Sequence, residues 1–216
     1  MKLIPEWFNH QYCLIAWPCN KDLYGDIINK ARDEVANVIN EIAKTERVIV
    51  LSNKEDINEI ENKTNHENID ILECKLDDSW MRDIAPIFYN EDKKLKSISF
   101  DFNGYGKYPD YVNDNKISKF ISKHLNIPTK NSDLVIEGGA ITYDDRKNLF
   151  STKNVLFNKN RKQKHSNEYI IKQLKILFDL KHIFLFENGL KDDDTDGHVD
   201  NFCLLYTSPS PRDRRL

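Results

Sequence analysis

The sequence predicts a mixed α/β fold of repeating units, and three observations carry that prediction. Short apolar, β-branched runs alternate with segments of helical periodicity. Polar loops holding the unusual residues follow three of those runs, after Leu76, Ile136 and Phe186, as in αβ architectures that keep their chemistry on loops at one end. The 216 residues, 39% hydrophobic and 31% charged, suffice for one large domain or two small ones whose core needs no disulfide or metal staple.

The elements follow in order. "YCLIAWP" reads as a short buried strand stopped by Pro18. From Asp22 to about Arg47, apolar residues recur at Ile27, Ile28, Ala31, Val35, Val38, Ile39, Ile42 and Ala43, the spacing of one face of a long amphipathic helix. "RVIVLS" is a strand, residues 54–62 a short polar helix, and "NIDILECKL" another strand. "APIFYN" and "LKSISFDF" pair around the polar turn at Asn90 to Lys94. Asp114 to Leu125 is helical, with Asp114 as cap and Pro128 beyond the end. "DLVIEGGAITYDD" and "NLFST" are strands, "SNEYIIKQLKILFDL" is a helix opened by Ser166, and "HIFLF" closes the unit. "HVDNFCLLY" reads as one more strand. The stretch "YTSPSPRDRRL" breaks the composition, with three arginines, two prolines and no lysine, so residues 1–205 are expected to form the domain and 206–216 an unstructured tail.

A net charge of −3 with scattered Lys and Arg shows no nucleic-acid footprint. No window approaches a membrane span and the opening stretch has no signal-type apolar core, so no membrane partner and a cytoplasmic setting are expected. Cys13, Cys19, Cys74 and Cys203 lack CxxC spacing and sit mostly in apolar runs, as reduced core thiols do.

"DDDTDGHVD" packs five carboxylates around one histidine, and three uses fit it: a calcium loop, a solvated acidic turn, or the mouth of a site for a cation. Asp192, Asp194, Asp196 and Gly197 match the first half of a calcium loop, but its twelfth position is Cys203 where a bidentate Glu is needed, so no metal is expected. On a strand, His198, Asp200 and Phe202 would share one face, with Val199, Asn201 and Cys203 on the other. A solvated strand end fits that motif as well. In "DDSWMRDIAP", Trp80 beside Asp83 suits a flat cation, whose face the ring covers while oxygens take its edge protons; a core tryptophan with an exposed ion pair fits too. In "VIEGGAI", Glu137 ends an apolar strand before two glycines that permit a turn and a close approach. Taken together, Asp83, Glu137 and Asp200, with His198 among them, form a constellation for gripping a guanidinium and moving protons nearby.

The stretches "PEWFNHQYCLIAWP", "DDSWMRDIAPIF", "FDFNGYGKYPDYVNDNK", "VIEGGAI" and "DDTDGHVDNF" stand in an order and at a spacing that resembles the agmatine deiminases and the related Porphyromonas-type peptidylarginine deiminases, from about residue 4 to residue 202. The resemblance implies a five-bladed α/β propeller of the pentein superfamily with its site at the centre. It implies that Asp83 and Asp200 bind guanidinium nitrogens, that His198 is general acid and base, and that Trp80 and Glu137 line the pocket. The implied reaction, part of putrescine biosynthesis, hydrolyses agmatine to N-carbamoylputrescine and ammonia. A cysteine attacks, an amidino-thioether forms, and water resolves it, with no cofactor. A small guanidinium substrate is the implied partner, and the resemblance allows a homo-oligomer of the full-length form.

The resemblance departs in two places. The family's nucleophilic cysteine lies near the end of a longer chain in a motif like Gly-Gly-Gly-Asn-Ile-His-Cys, which this sequence lacks; the expectation is an incomplete propeller, roughly two blades short, without activity of its own. By strand alternation Cys203 faces away from His198 and Asp200 and takes no catalytic role. In "NGYGKY", Tyr105 stands in for an aromatic that relatives carry as tryptophan. Two other functions remain open from the sequence: a peptidylarginine deiminase, or a non-catalytic guanidine-binding fragment.

Overall fold

The apolar runs pair with near neighbours in the chain, and the outcome is three separate sheets among the described residues. The computed structural model describes residues 2–205; the expected tail lies outside them. A two-residue strand, β1 (Lys2–Leu3), opens the chain and pairs with a later strand. In the first sheet β2 (Tyr12–Ala16), β3 (Arg47–Ser52) and β4 (Ile69–Glu73) run parallel in that order. Parallel neighbours need crossovers, and helices supply them.

The single helix expected over 22–47 is broken. A first turn, α1 (Lys21–Tyr24), ends at Gly25, whose φ of 50° falls in the left-handed region that a side chain disfavours. A 3-10 turn over Gly25–Ile27 then leads into α2 (Ile28–Ala43). The buried face of α2 is Arg32, Ala36, Ile39 and Ala43, while Ile27 and Val38 stay in solvent. Arg32 can be buried because Asp56 at 2.8 Å, Glu59 at 2.5 Å and the Pro18 carbonyl at 3.0 Å accept its three donor edges. The second crossover is α3 (Ile57–Lys63), entered through a 3-10 turn.

In the second sheet β5 (Ile87–Glu91) and β6 (Lys94–Asp101) form a hairpin whose two turn residues, Asp92 and Lys93, take φ of 53° and 62°, the primed geometry that matches strand twist. A one-turn helix, α4 (Met81–Ile84), precedes it, and α5 (Asp114–His124) carries the chain from β6 to its parallel neighbour β7 (Thr129–Val135). The expected cap Asp114 lies one residue inside α5; Asp77 takes the backbone N–H of Asn113 at 2.6 Å, and the Asp114 carboxylate accepts the N–H of Asp77 at 2.9 Å.

The third sheet holds β8 (Thr142–Tyr143), β9 (Asn148–Thr152) and β10 (His182–Phe186), with β9 central. Thr152 caps the short α6 (Lys153–Leu156), and Ser166 caps α7 (Asn167–Phe178), as expected for Ser166. Ile170, Leu174 and Phe178 of α7 are fully buried, each contributing about 1.5–3 kcal/mol of burial against the β6, β7 and β9 side chains.

Each sheet thus contains a parallel pair bridged by a helix. The loops after β4, β7 and β10 each leave the carboxyl end of a strand. No helix among the described residues is long and apolar enough to cross a membrane.

Over the described residues 198–205, the expected strand does not form. His198 opens a 3-10 turn over Val199–Asn201 instead. Gly197, at φ 111°, packs so closely on Gly189 that a Cβ on Gly189 would lie 2.2 Å from the Gly197 Cα. The amides that a neighbouring strand would have satisfied are taken by a side chain, Asp193. The alternation argued from a strand therefore fails, including the placement of Cys203 on an opposite face.

Candidate active site

The loop after β4 is built on its own carboxylates. Asp78 accepts the indole N–H of Trp80 at 2.8 Å, which holds Trp80 49% exposed beside the cavity, so it is no core residue. One turn on, α4 delivers Asp83 inward: Oδ1 accepts the N–H of Gly139 at 2.8 Å and Oδ2 accepts the Tyr105 hydroxyl at 2.8 Å. Tyr105 reaches it from a left-handed run, with φ of 62°, 58° and 71° at Gly104, Tyr105 and Gly106. For a tyrosine this conformation costs roughly 1–2 kcal/mol, tolerated where the side chain is buried and bonded.

The loop after β7 places Glu137 ahead of a 3-10 turn over Gly138–Ala140. Both glycines are required by close approach. A Cβ on Gly138 would meet the Arg82 carbonyl at 2.0 Å; one on Gly139 would meet His198 Nδ1 at 2.5 Å, Asp83 Oδ1 at 2.7 Å and Asp200 Oδ2 at 2.8 Å. Gly139 is the point on which the site converges.

Two carboxylates of the acidic loop after β10, Asp193 and Asp196, are used within the fold. Asp193 accepts the N–H groups of Thr195 at 3.1 Å, Gly197 at 2.7 Å and His198 at 3.1 Å, together with the Thr195 hydroxyl at 2.6 Å. Asp196 receives Arg161 and Lys107, each at 2.6 Å. These carboxylates fold the loop and aim His198 inward.

His198, 2% exposed, sits among three carboxylates. Its Nδ1 lies 3.7 Å from Asp83 Oδ1 and 3.9 Å from Asp200 Oδ1, and its Nε2 lies 3.6 Å from Glu137 Oε2. These separations are just beyond hydrogen-bond length. His198 Nε2, Glu137 Oε2 and Asp200 Oδ1 are buried without hydrogen-bond partners, the signature of a polar cluster prepared for something else. Asp200 Oδ2 is held by Arg82 Nε at 2.8 Å.

Burial alone would lower the imidazole pKa, but the Glu137, Asp83 and Asp200 carboxylates outweigh it and raise the pKa above its ordinary value. Burial raises the Asp83 carboxyl, helped by the Glu137 charge and opposed by His198, the Tyr105 hydroxyl and the Gly139 N–H. Burial works against the Glu137 charge too, yet His198 and Arg161 prevail and hold that carboxyl below its usual range.

A cavity of about 520 Å³ opens onto this cluster, walled by Trp80, Asp83, Tyr105, His198 and Asp200 and rimmed by Asp78 and Asp192–Asp194. Four of the five residues expected from the sequence therefore share one cavity. Glu137 departs from the expected wall position: 1% exposed, it lies behind His198 with its other oxygen on Arg161 Nε at 3.0 Å. Arg161 and Asp193 were not foreseen, and Arg82, expected as an exposed ion-pair partner of Asp83, pairs with Glu6 and Asp200. One signal pointed to the arginines: the chain is rich in Lys and uses Arg sparingly, and Arg32, Arg82 and Arg161 each hold two carboxylates.

Residues 2–209 match the family model of the Porphyromonas-type peptidyl-arginine deiminases. The chain belongs to that family. Among curated relatives it is 30% identical over 211 residues to a Pseudomonas aeruginosa agmatine deiminase, covering 94% of this chain and 57% of the relative. A Mycoplasma capricolum protein provisionally named agmatine deiminase is 33% identical, with 94% and 57% covered. Among solved structures, a cysteine-to-serine variant of C. jejuni agmatine deiminase with substrate bound superposes with TM-score 0.83 at 28% identity, covering 92% of this chain and 60% of that one. An Enterococcus faecalis agmatine deiminase shares the fold at TM-score 0.87 and 21% identity, with 93% and 56% covered. The chain thus spans a little under three-fifths of the length of the deiminases it matches.

Proposed function

We propose that this chain carries the guanidinium-binding and proton-transferring part of an agmatine deiminase. The observation that carries this is that Asp83, Asp200 and His198, gathered around Gly139, line one cavity together with Trp80. A planar cation in this cavity would find carboxylate oxygens at its edges and an aromatic face beside it. Asp83 and Asp200 are the clamp, and their negative charge keeps the substrate cationic until attack. His198 passes a proton to departing ammonia and later draws one from water. Glu137 supports the imidazole from behind.

The attacking thiolate is assigned to a cysteine outside these 216 residues. Burial pushes the Cys19 thiol up to about 12 and the Cys74 thiol up to about 11, and raises Cys13 as well, so none of the three is ionised near neutral pH; Cys203 is not among the residues that line the cavity. All four cysteines are free thiols, which supports a reducing, cytoplasmic setting. The three sheets are read as three blades of a five-bladed pentein propeller, formed by residues 1–205, with the cavity on its axis.

The acidic rim, Asp78 and Asp192–Asp194, favours a substrate with a second cation, as agmatine has, over one bearing a carboxylate, as free arginine does. The test is ureido product from agmatine, free arginine and an arginyl peptide, measured on this chain continued through the length its relatives have. Agmatine is expected to react fastest; preference for the peptide would overturn the substrate assignment. The 216-residue chain alone is expected to release no ammonia, and turnover abolished by Cys203→Ser would show the nucleophile was misplaced.

A further inference from the structure

Arg161 lies outside every sequence motif of the site, yet no part of it reaches solvent. It ends a 3-10 turn over Lys159–Arg161, and its three donor edges are all used. Nε donates to Glu137 Oε1 at 3.0 Å, Nη1 to Asp196 Oδ2 at 2.6 Å and Nη2 to the Thr195 carbonyl at 2.6 Å. The Tyr105 ring lies 5.7 Å from its Cζ. One of these contacts fixes the Thr195 backbone and a second the Asp196 carboxylate, both just before His198; the third fixes the carboxylate whose other oxygen faces the imidazole. Arg161 therefore reaches the histidine from two sides while touching neither the ring nor the cavity.

We propose that Arg161 is the positioning residue of this site, clamping the Thr195–Asp196 loop and an ionised Glu137 so that the His198 imidazole is held in place and kept cationic. The use of that imidazole rests on the guanidinium reading above; the clamp does not. A buried carboxylate stays charged only beside cations. The guanidinium is in contact with Glu137, while the imidazole lies beyond the carboxylate's other oxygen, so Arg161 attracts Glu137 more than it repels the imidazolium. Without the guanidinium charge, protonation of Glu137 is favoured over protonation of His198 and the imidazole becomes neutral. The other groups facing His198 are Asp83 on α4, Asp200 with its partner Arg82, and the Tyr105 ring. Those facing Arg161 are Glu137, Asp196 with its second partner Lys107, and Tyr105. None of them replaces its charge at Glu137.

The test is the titration midpoint of His198 in the 216-residue chain, followed by imidazole ¹⁵N NMR and assigned with His198→Gln. Arg161→Met is expected to lower the midpoint by about a unit or more. Arg161→Lys should keep most of it, because the ammonium retains the charge even though it cannot reach all three acceptors. An unchanged midpoint in folded Arg161→Met, or an equal fall in Arg161→Lys, would overturn the proposal. Should Arg161→Met fail to fold, the wild-type Arg161 Nε–H resonance decides: it is expected to shift with the His198 midpoint, and a flat response would overturn the clamp. Agmatine added to the wild type separates the two ideas, since no effect on His198 would count against guanidinium binding and leave the midpoint comparison intact.

Discussion

Among the described residues, two buried arginines face two carboxylates each, and they serve opposite ends. Arg32 joins α2 to Asp56 and Glu59, and every donor edge and facing oxygen is matched. Arg161 joins Glu137 to Asp196 in the same manner, but beyond it stand three buried polar atoms with no partner: Glu137 Oε2, His198 Nε2 and Asp200 Oδ1. The first cluster is closed and can only stabilise. The second is left open toward a cavity, so part of its electrostatic energy is available to a ligand. An ion network by itself therefore says little about function; its unsatisfied edge does.

The sharpest break between the two regions is expected at Arg32. Arg32→Ala leaves the buried Asp56 carboxylate without its cation, while the half-buried Glu59 keeps Lys63 at 3.8 Å, and should cost about 3 kcal/mol of stability, read by urea denaturation, with agmatine affinity of the folded fraction unchanged. Asp83→Ala or Asp200→Ala should do the reverse, removing on the order of 3 kcal/mol of agmatine binding while the melting temperature moves less than for Arg32→Ala. Normal affinity in either aspartate variant would remove that residue from the clamp.

A smaller effect separates the regions by pH. The His198 pKa is raised on folding, so its contribution to stability is fully present below the unfolded value of about 6.5 and is lost as pH rises through the folded pKa. Stability should decline over that window in the wild type, and His198→Gln should flatten the decline; an unchanged slope would mean the imidazole is not held charged. Least affected is Trp80→Ala: stability should stay within about 0.5 kcal/mol, as befits an exposed ring, while agmatine binding weakens by about 1 kcal/mol.

The elements most legible in the sequence were those fixed by local rules. The β5–β6 hairpin, the Ser166 cap and the β3 run all follow from periodicity and side-chain chemistry near at hand. Gly25 was visible as a helix breaker, but the apolar spacing from Ile27 onward carried the helix reading back past it. The strand expected after His198 failed because Asp193, five residues earlier, supplies the acceptor that strand pairing would otherwise give. Asp83, Asp200, His198 and Trp80, which line one cavity, each stand in a distinctive stretch of the sequence. Arg161 was not, since its partners lie 24 and 35 residues away and only the fold brings them together.

The most direct test of the central claim is a titration of the 216-residue chain with agmatine, followed at the His198 imidazole and by calorimetry, with putrescine as the amine lacking a guanidine. Saturable agmatine binding that shifts His198, is absent for putrescine and is lost in Asp83→Asn and Asp200→Asn is the predicted result. Agmatine binding that survives both substitutions, or no agmatine effect on His198 in a folded chain, would contradict it.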